Sequence, residues 1–190
     1  MDAETVAVYE HRATEWLARR GEAPDGLGLE LRRRLGRGPV ADLGCGVGRY
    51  LAELGSPVVG VDAAAAMLEL ARRRDRPLVR ADLEALPFAD GVLAGAFARH
   101  SYLHLRKDRL GAALADLRRA LAPGGLVLIT LIEGIYEGRR LPGDDFAGRF
   151  FACFGAGELA GILTKVGFVE VEVAPLRTGA RRDLVATARR

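Results

Sequence analysis

Three glycines at alternate positions, Gly44, Gly46 and Gly48, follow the short apolar run Val40-Ala-Asp-Leu43, and of all residues in the chain they are the best suited to hold a ligand against bare backbone. Glycine lacks a Cβ, tolerates positive φ and lets the main chain lie directly on a bound molecule, so a strand entering such a turn reads as a nucleotide loop. The pattern predicts a helix directly afterwards, over residues 49–54, whose unpaired N–H groups and positive end would favour a carboxylate or phosphate.

Two acids narrow the ligand. Asp42 sits in the strand end just ahead of the first glycine, where a carboxylate would repel a pyrophosphate but could pair with an ammonium group. The spacing is also Gly-x-Gly-x-Gly rather than the Gly-x-Gly-x-x-Gly of dinucleotide sites. A second apolar run, Val58-Val-Gly-Val61, ends in Asp62, about 20 residues past the first strand, the distance at which an acid reaches a ribose diol. Amine, carboxylate and ribose together describe S-adenosylmethionine.

These stretches, with Ala81-Asp-Leu-Glu-Ala-Leu-Pro-Phe-Ala-Asp-Gly91 and Leu121-Ala-Pro-Gly-Gly-Leu-Val-Leu-Ile129, resemble the motifs of class I S-adenosylmethionine-dependent methyltransferases, closest to their small type 11 and type 25 members. The likeness covers most of residues 36–190. It implies an α/β, Rossmann-like three-layer sandwich with a seven-stranded, mostly parallel sheet and an antiparallel last strand. It also implies S-adenosylmethionine as cofactor and S-adenosylhomocysteine as product. Cofactor contacts are implied from Asp42, Gly44, Cys45, Gly46 and Gly48 in the loop, from Asp62, Ala63 and Met67 after the second strand, from Asp82 and Leu83 at the adenine, and from Ala98 at the end of the fourth strand. Tyr9 lies in a stretch that resembles a helix of the family reaching the methionine end; the same spacing also fits a tyrosine that faces the core.

Those residues need a scaffold. The apolar positions Val6, Tyr9, Ala13, Trp16 and Leu17 recur at three and four residues and predict a helix over 5–20. A loop over 21–28 and a helix over 27–35 that ends at Gly36 follow. Short apolar runs predict strands at 40–43, 58–61, 77–80, 93–98 and 126–131, alternating with helices over 64–74 and 109–121, and this order means parallel βαβ units. A helix over 158–166 then leads into strands at 168–174 and 184–188. We expect one domain, 1–190, in which 1–35 is a helical lid or flank. Residues 132–156, which lack periodicity, form the substrate-side loop.

Composition sets bounds. The chain has 190 residues, 49% apolar and 28% charged, which suits one globular domain. It contains no apolar run of 18 residues and starts with the acidic Met1-Asp-Ala-Glu-Thr5, so neither a membrane span nor a signal peptide is expected and the expected location is cytoplasmic. Cys45 and Cys153 stand far apart and His11, His100 and His104 have no zinc spacing, so no disulfide framework and no metal is expected. All but Lys107 and Lys165 of the 28 basic residues are arginine, which reads as a compositional bias and not as a polyanion site.

A methyl group on a sulfonium is already electrophilic, so positioning alone can supply ~7–11 kcal/mol of the barrier. A base is needed only where the acceptor must lose a proton early, and the candidates are His104, His100, Tyr9 and Asp145. For either histidine a structural role is at least as good a reading. Neither an Asn/Asp-Pro-Pro-Tyr/Phe motif nor a Pro-Cys pair follows the fourth strand, which disfavours methylation of exocyclic base amines and of cytosine C5. Tyr136, Phe150 and Phe151 suggest a small, partly apolar acceptor. Three other readings stay open: an RNA (tRNA) methyltransferase, whose arginines 99, 106, 139, 140 and 149 should gather on one face; a cofactor-binding module without turnover; and a nicotinamide dehydrogenase. The oligomeric state is not fixed by these residues.

Overall fold

The computed structural model describes residues 1–21, 23–178 and 181–190; Glu22, within the expected 21–28 loop, lies outside the described residues. Seven strands form one sheet in the order β3-β2-β1-β4-β5-β9-β8. They are β1 (Val40–Leu43), β2 (Val58–Asp62), β3 (Leu78–Arg80), β4 (Leu93–Arg99), β5 (Leu121–Ile132), β8 (Val169–Thr178) and β9 (Arg181–Arg189). The first five run parallel, while β9 is inserted between β5 and β8 antiparallel to both. The expected α/β sandwich with an antiparallel last strand is thus the observed architecture.

Alternation of side chains across each strand builds a core on both faces. Ala41, Leu43, Ala96, Ala98, Val127 and Ile129 join one apolar cluster with Leu110, Leu114 and Leu117 of α4 (Lys107–Ala120) and Leu159 and Leu163 of α5 (Ala156–Val166). Val40, Phe97, Leu126 and Leu128 point the other way, onto Leu27 and Leu31 of α2 (Leu27–Leu35) and onto Leu51 and Leu54. A third cluster joins Ala13, with Val6, Tyr9, Trp16 and Leu17, to Val47, Ala64 and Met67. That cluster packs α1 (Ala3–Arg20) on α3 (Ala65–Ala71).

Two expectations need correction. Residues 46–54 are a succession of turns and not a helix: Gly48 N–H bonds to Cys45 at 2.9 Å and Leu51 N–H to Gly48 at 3.3 Å, both three residues back. Gly46 and Gly48 hold φ at +54° and +73°, outside the right-handed helical region, and after them a single four-residue bond, Leu54 N–H to Tyr50 at 3.0 Å, forms without building a helix. Within 132–156, the short strands β6 (Glu137–Gly138) and β7 (Phe151–Ala152) pair antiparallel and brace the loop at its base. Helix α1 is also bent, with Arg12 at φ −120° and ψ 19° inside it.

Candidate active site

Parallel sheets bind ligands beyond the carboxyl ends of their strands, at the point where the order reverses. Here that point is β1, flanked by β2 and β4, and a cavity of about 880 Å³ opens there. It is lined by Asp42, Gly44, Cys45 and Gly46 from β1 and its turn, by Asp62, Ala63 and Met67 after β2, and by Leu83. His100, Ser101 and His104 follow β4 into it, Tyr9 and Trp16 enter from the lid, and Asp144, Arg149 and Phe151 enter from the loop.

Four expected residues lie off this wall. Gly48 packs against α3, where an added Cβ would meet Arg74 Cγ at 2.9 Å and Ala71 Cβ at 3.3 Å. Ala98 is buried within the sheet, and Asp145 is held by Arg19 and Arg20 of the lid. Asp82 stands at the rim, where it accepts from the ammonium of Met1 and from Glu84 N–H. Of the three aromatic residues expected near the acceptor, only Phe151 lines the cavity; Phe150 belongs to the core and Tyr136 Oη accepts from Arg140 N–H.

The glycine turn is shaped by close approach. Gly44, at φ +73°, has Ser101 so near that an added Cβ would lie 2.3 Å from Ser101 Cβ, whereas Gly46 has nothing within 4 Å on that side. Gly46 therefore presents bare backbone to open space inside the cavity wall. Its N–H donates to Asp62 Oδ2 at 2.8 Å, and Ala64 N–H donates to Asp62 Oδ1 at 2.9 Å. Asp42, next along the wall, is fully buried and its Oδ2 has no hydrogen-bond partner. Burial first, and the nearby Asp62 second, push the Asp42 carboxyl up to about 8. A buried acid without a partner is costly, and a ligand ammonium would relieve that cost. Ser101 Oγ and Arg49 Nε, also in this part of the wall, are likewise buried without partners.

The opposite wall is a connected polar chain that sequence spacing did not reveal. His104 Nδ1 lies 2.7 Å from Phe150 C=O, which can only accept, so Nδ1 carries the proton and Nε2 is bare. Tyr9 O–H then donates to that Nε2 at 2.8 Å, and the Tyr9 oxygen accepts from Arg149 Nη1 at 2.8 Å. Arg149 closes the chain on Asp144. Burial holds His104 neutral, down to about 3, and burial raises the Tyr9 hydroxyl. Arg149 and Asp144 come from an aperiodic loop, and only the fold brings them to residues 9 and 104.

The lid and the loop are clasped together over the cavity. Thr5 Oγ1 accepts Phe150 N–H at 2.8 Å, Arg139 pairs with Asp2, and Arg12 stacks over the Phe146 ring at 4.7 Å. His100, at φ +56°, lies with Nε2 3.0 Å from Asp183 and 2.6 Å from Arg99 Nη1.

Comparison with known proteins points to methyltransferases. A family model described as "Methyltransferase domain" matches residues 41–129. The malonyl-[acyl-carrier protein] O-methyltransferase of Legionella pneumophila is 36% identical over 103 residues, spanning 49% of this chain and 36% of that protein. The probable tRNA methyltransferase 9B of Mus musculus is 33% identical over 109 residues, spanning 56% of this chain and 24% of that protein. The chain thus spans well under half the length of these curated relatives. Among solved structures, Burkholderia thailandensis 1,6-didemethyltoxoflavin-N1-methyltransferase, with bound 1,6-didemethyltoxoflavin and S-adenosylhomocysteine, matches with TM-score 0.74 and 27% identity over 100% of this chain and 91% of that one. Residues 41–129 thus match a methyltransferase domain, and the chain is similar to class I S-adenosylmethionine-dependent methyltransferases over its whole fold. The solved neighbours hold S-adenosylhomocysteine or S-adenosylmethionine, consistent with S-adenosylmethionine as the cofactor. No helix among the described residues is long and apolar enough to cross a membrane.

Proposed function

We propose that this chain transfers the methyl group of S-adenosylmethionine to a small-molecule acceptor by direct in-line displacement. The observation that carries the reading is Asp42: a buried carboxyl with an unpartnered oxygen, in the wall of the cavity, next to bare glycine backbone. Asp42 takes the ammonium of the methionine end, and Ser101 Oγ and Arg49 Nε–H are at hand for its carboxylate. Asp62 takes the ribose diol on the lone pairs that Gly46 and Ala64 leave free. Leu83 and Met67 flank the adenine, and Asp82 stays at the rim.

When bound, the cofactor supplies a methyl carbon already activated by the sulfonium. The chain's own residues then orient and exclude water. The lid–loop clasp closes over the cavity, and Tyr9, His104 and Phe151 wall its far side. Held geometry of this kind is where ~7–11 kcal/mol of barrier lowering comes from.

A small acceptor is favoured over RNA because four of the five arginines a nucleic acid would need are already engaged. Arg139 is paired with Asp2 and Glu4, Arg106 with Asp108, Arg99 with Asp25, and Arg149 with Asp144. The similarity to named small-molecule and acyl-carrier O- and N-methyltransferases supports the same reading, while the tRNA methyltransferase 9B relative supports the alternative. The deciding experiment incubates the protein with labelled S-adenosylmethionine and, separately, a panel of small acids, amines and phenols and bulk tRNA. Label transferred to small acceptors supports the proposal; label in tRNA alone overturns it. Binding of S-adenosylhomocysteine without turnover of any acceptor would instead support a binding module, and binding of NAD in its place a dehydrogenase.

A further inference from the structure

Building on the methyltransferase reading above, the geometry points to an oxyanion as the acceptor group, docked on Arg149 and methylated on one of its own oxygens. Arg149 is the buried cation of the far wall. Its guanidinium carbon lies 5.4 Å from the Tyr9 ring centroid, 5.1 Å from Phe151 and 5.1 Å from Phe146, so three aromatic rings keep water from it. Nη1 is committed to Tyr9 and Nη2 to Asp144, with Asp145 3.9 Å away and itself held by Arg19 and Arg20. The Nε–H is buried and has no acceptor. A buried donor left without a partner costs ~1–3 kcal/mol, more where the group is charged, so the fold keeps this N–H at a cost that a ligand oxygen would remove.

With Nη1 and Nη2 engaged, the Nε–H is the donor left for one oxygen of a carboxylate or a phosphoryl group, a charge-assisted bond that either can accept. Asp144, whose own Oδ2 is buried without a partner, balances the charge of Arg149, so recognition here rests on that one directed N–H bond and not on a net positive field. Arg99, the half-buried arginine that ends β4, has Nε on Asp25 at 3.0 Å and Nη1 on Thr130 at 3.0 Å. Arg49 sits on the glycine-turn side, over Trp16, seven residues along α1 from Tyr9.

The state of the candidate bases agrees. The bare nitrogen of His104 is filled by the Tyr9 proton, the Tyr9 oxygen already accepts from Arg149, Asp145 is in ion pairs, and His100 Nε2 faces Asp183 and Arg99. An alcohol or ammonium acceptor would need one of these groups to take a proton. An oxyanion does not. Its oxygen forms the new O–C bond as the C–S bond breaks, the bonding pair stays on sulfur, and the negative and positive charges cancel. An ester and a thioether result, and no proton leaves.

The test uses the full chain loaded with S-adenosylhomocysteine and titrates three isosteric probes by calorimetry: butyrate, propylphosphonate and butylamine. The proposal expects one of the two anions to bind, which also identifies the carboxylate or the phosphoryl source, and butylamine not to bind. Arg149→Gln should weaken that anion at least 10-fold and Arg149→Lys less, while S-adenosylhomocysteine affinity stays within about twofold, which shows that both variants are folded. With S-adenosylmethionine the binding anion should yield a base-labile methyl ester. Binding of butylamine alone, binding of neither anion, or equal anion affinity in Arg149→Gln overturns the proposal while the cofactor reading stands. Failure of S-adenosylhomocysteine to bind the unaltered chain overturns both.

Discussion

Asp62 fastens the glycine turn from the neighbouring strand: its Oδ2 accepts Gly46 N–H at 2.8 Å, across the first gap in the sheet, while its Oδ1 accepts Ala64 N–H at 2.9 Å. One carboxylate therefore both shapes the turn and faces the cavity. A carboxylate hydrogen bond is worth ~1.5–3 kcal/mol, so Asp62→Ala should weaken S-adenosylhomocysteine binding roughly 10- to 100-fold. Asp62→Asn, which keeps one acceptor, should lose less. A dissociation constant unchanged in Asp62→Ala would remove the ribose assignment.

Asp42 trades stability for binding. Its folded pKa is raised to about 8 by burial and by Asp62. Between the unfolded value near 4 and that figure the unfolded chain binds fewer protons than the folded one, so this group makes stability fall as pH rises through the window. In the cofactor-free protein, Asp42→Asn should therefore raise the melting temperature at pH 8 by roughly 2–6 °C, with a smaller gain at pH 5. Differential scanning calorimetry at the two pH values checks this, and a lower melting temperature at pH 8 would refute it.

His104 works in the opposite sense. It is buried neutral, with a pKa down at about 3, so below pH 6.5 the unfolded chain takes up a proton that the folded chain refuses. Its contribution is complete above pH 6.5 and declines as pH falls toward 3, at up to ~1.4 kcal/mol per pH unit. His104→Gln should be less stable at pH 7.5 yet lose less between pH 6.5 and 5. Urea midpoints at several pH values measure both effects, and parallel curves for the two proteins would contradict the assignment.

Tyr9 bridges the lid to the far wall. Tyr9→Phe would leave His104 Nε2 and one Arg149 N–H buried without a partner, at ~1–3 kcal/mol for each such group. A fall in melting temperature of roughly 2–4 °C per kcal/mol is expected for a chain of this size. Arg139→Ala, which removes a half-exposed pair with Asp2 and Glu4 and a bond to the Gly148 carbonyl, should lower it less. Equal melting temperatures for Tyr9→Phe and the unaltered chain would count against the bridge.

Much of this was legible in the sequence because it is local. Helix α2 and strand β1 fall on the residues where periodicity puts them, and the two acids beside the glycine turn can be found by spacing alone. The turns at 49–54 carry a helical pattern because Tyr50, Leu51 and Leu54 face the core at nearly helical intervals. The wall made by Tyr9, His104, Asp144 and Arg149 was hidden for a different reason. Its members are separated by up to 140 residues, and in an arginine-rich chain no single arginine stands out.

The most direct test of the paired-acid site is proton release on binding. In the free protein the Asp42 carboxyl, with its pKa near 8, holds a proton at pH 6.5, and pairing with a ligand ammonium would ionise it. Titration of S-adenosylhomocysteine by calorimetry at pH 6.5, in buffers of different ionisation enthalpy, should therefore show release of about one proton, lost in Asp42→Asn, with affinity rising toward pH 8. Binding by the unaltered chain with no proton released and no dependence on pH would contradict the account.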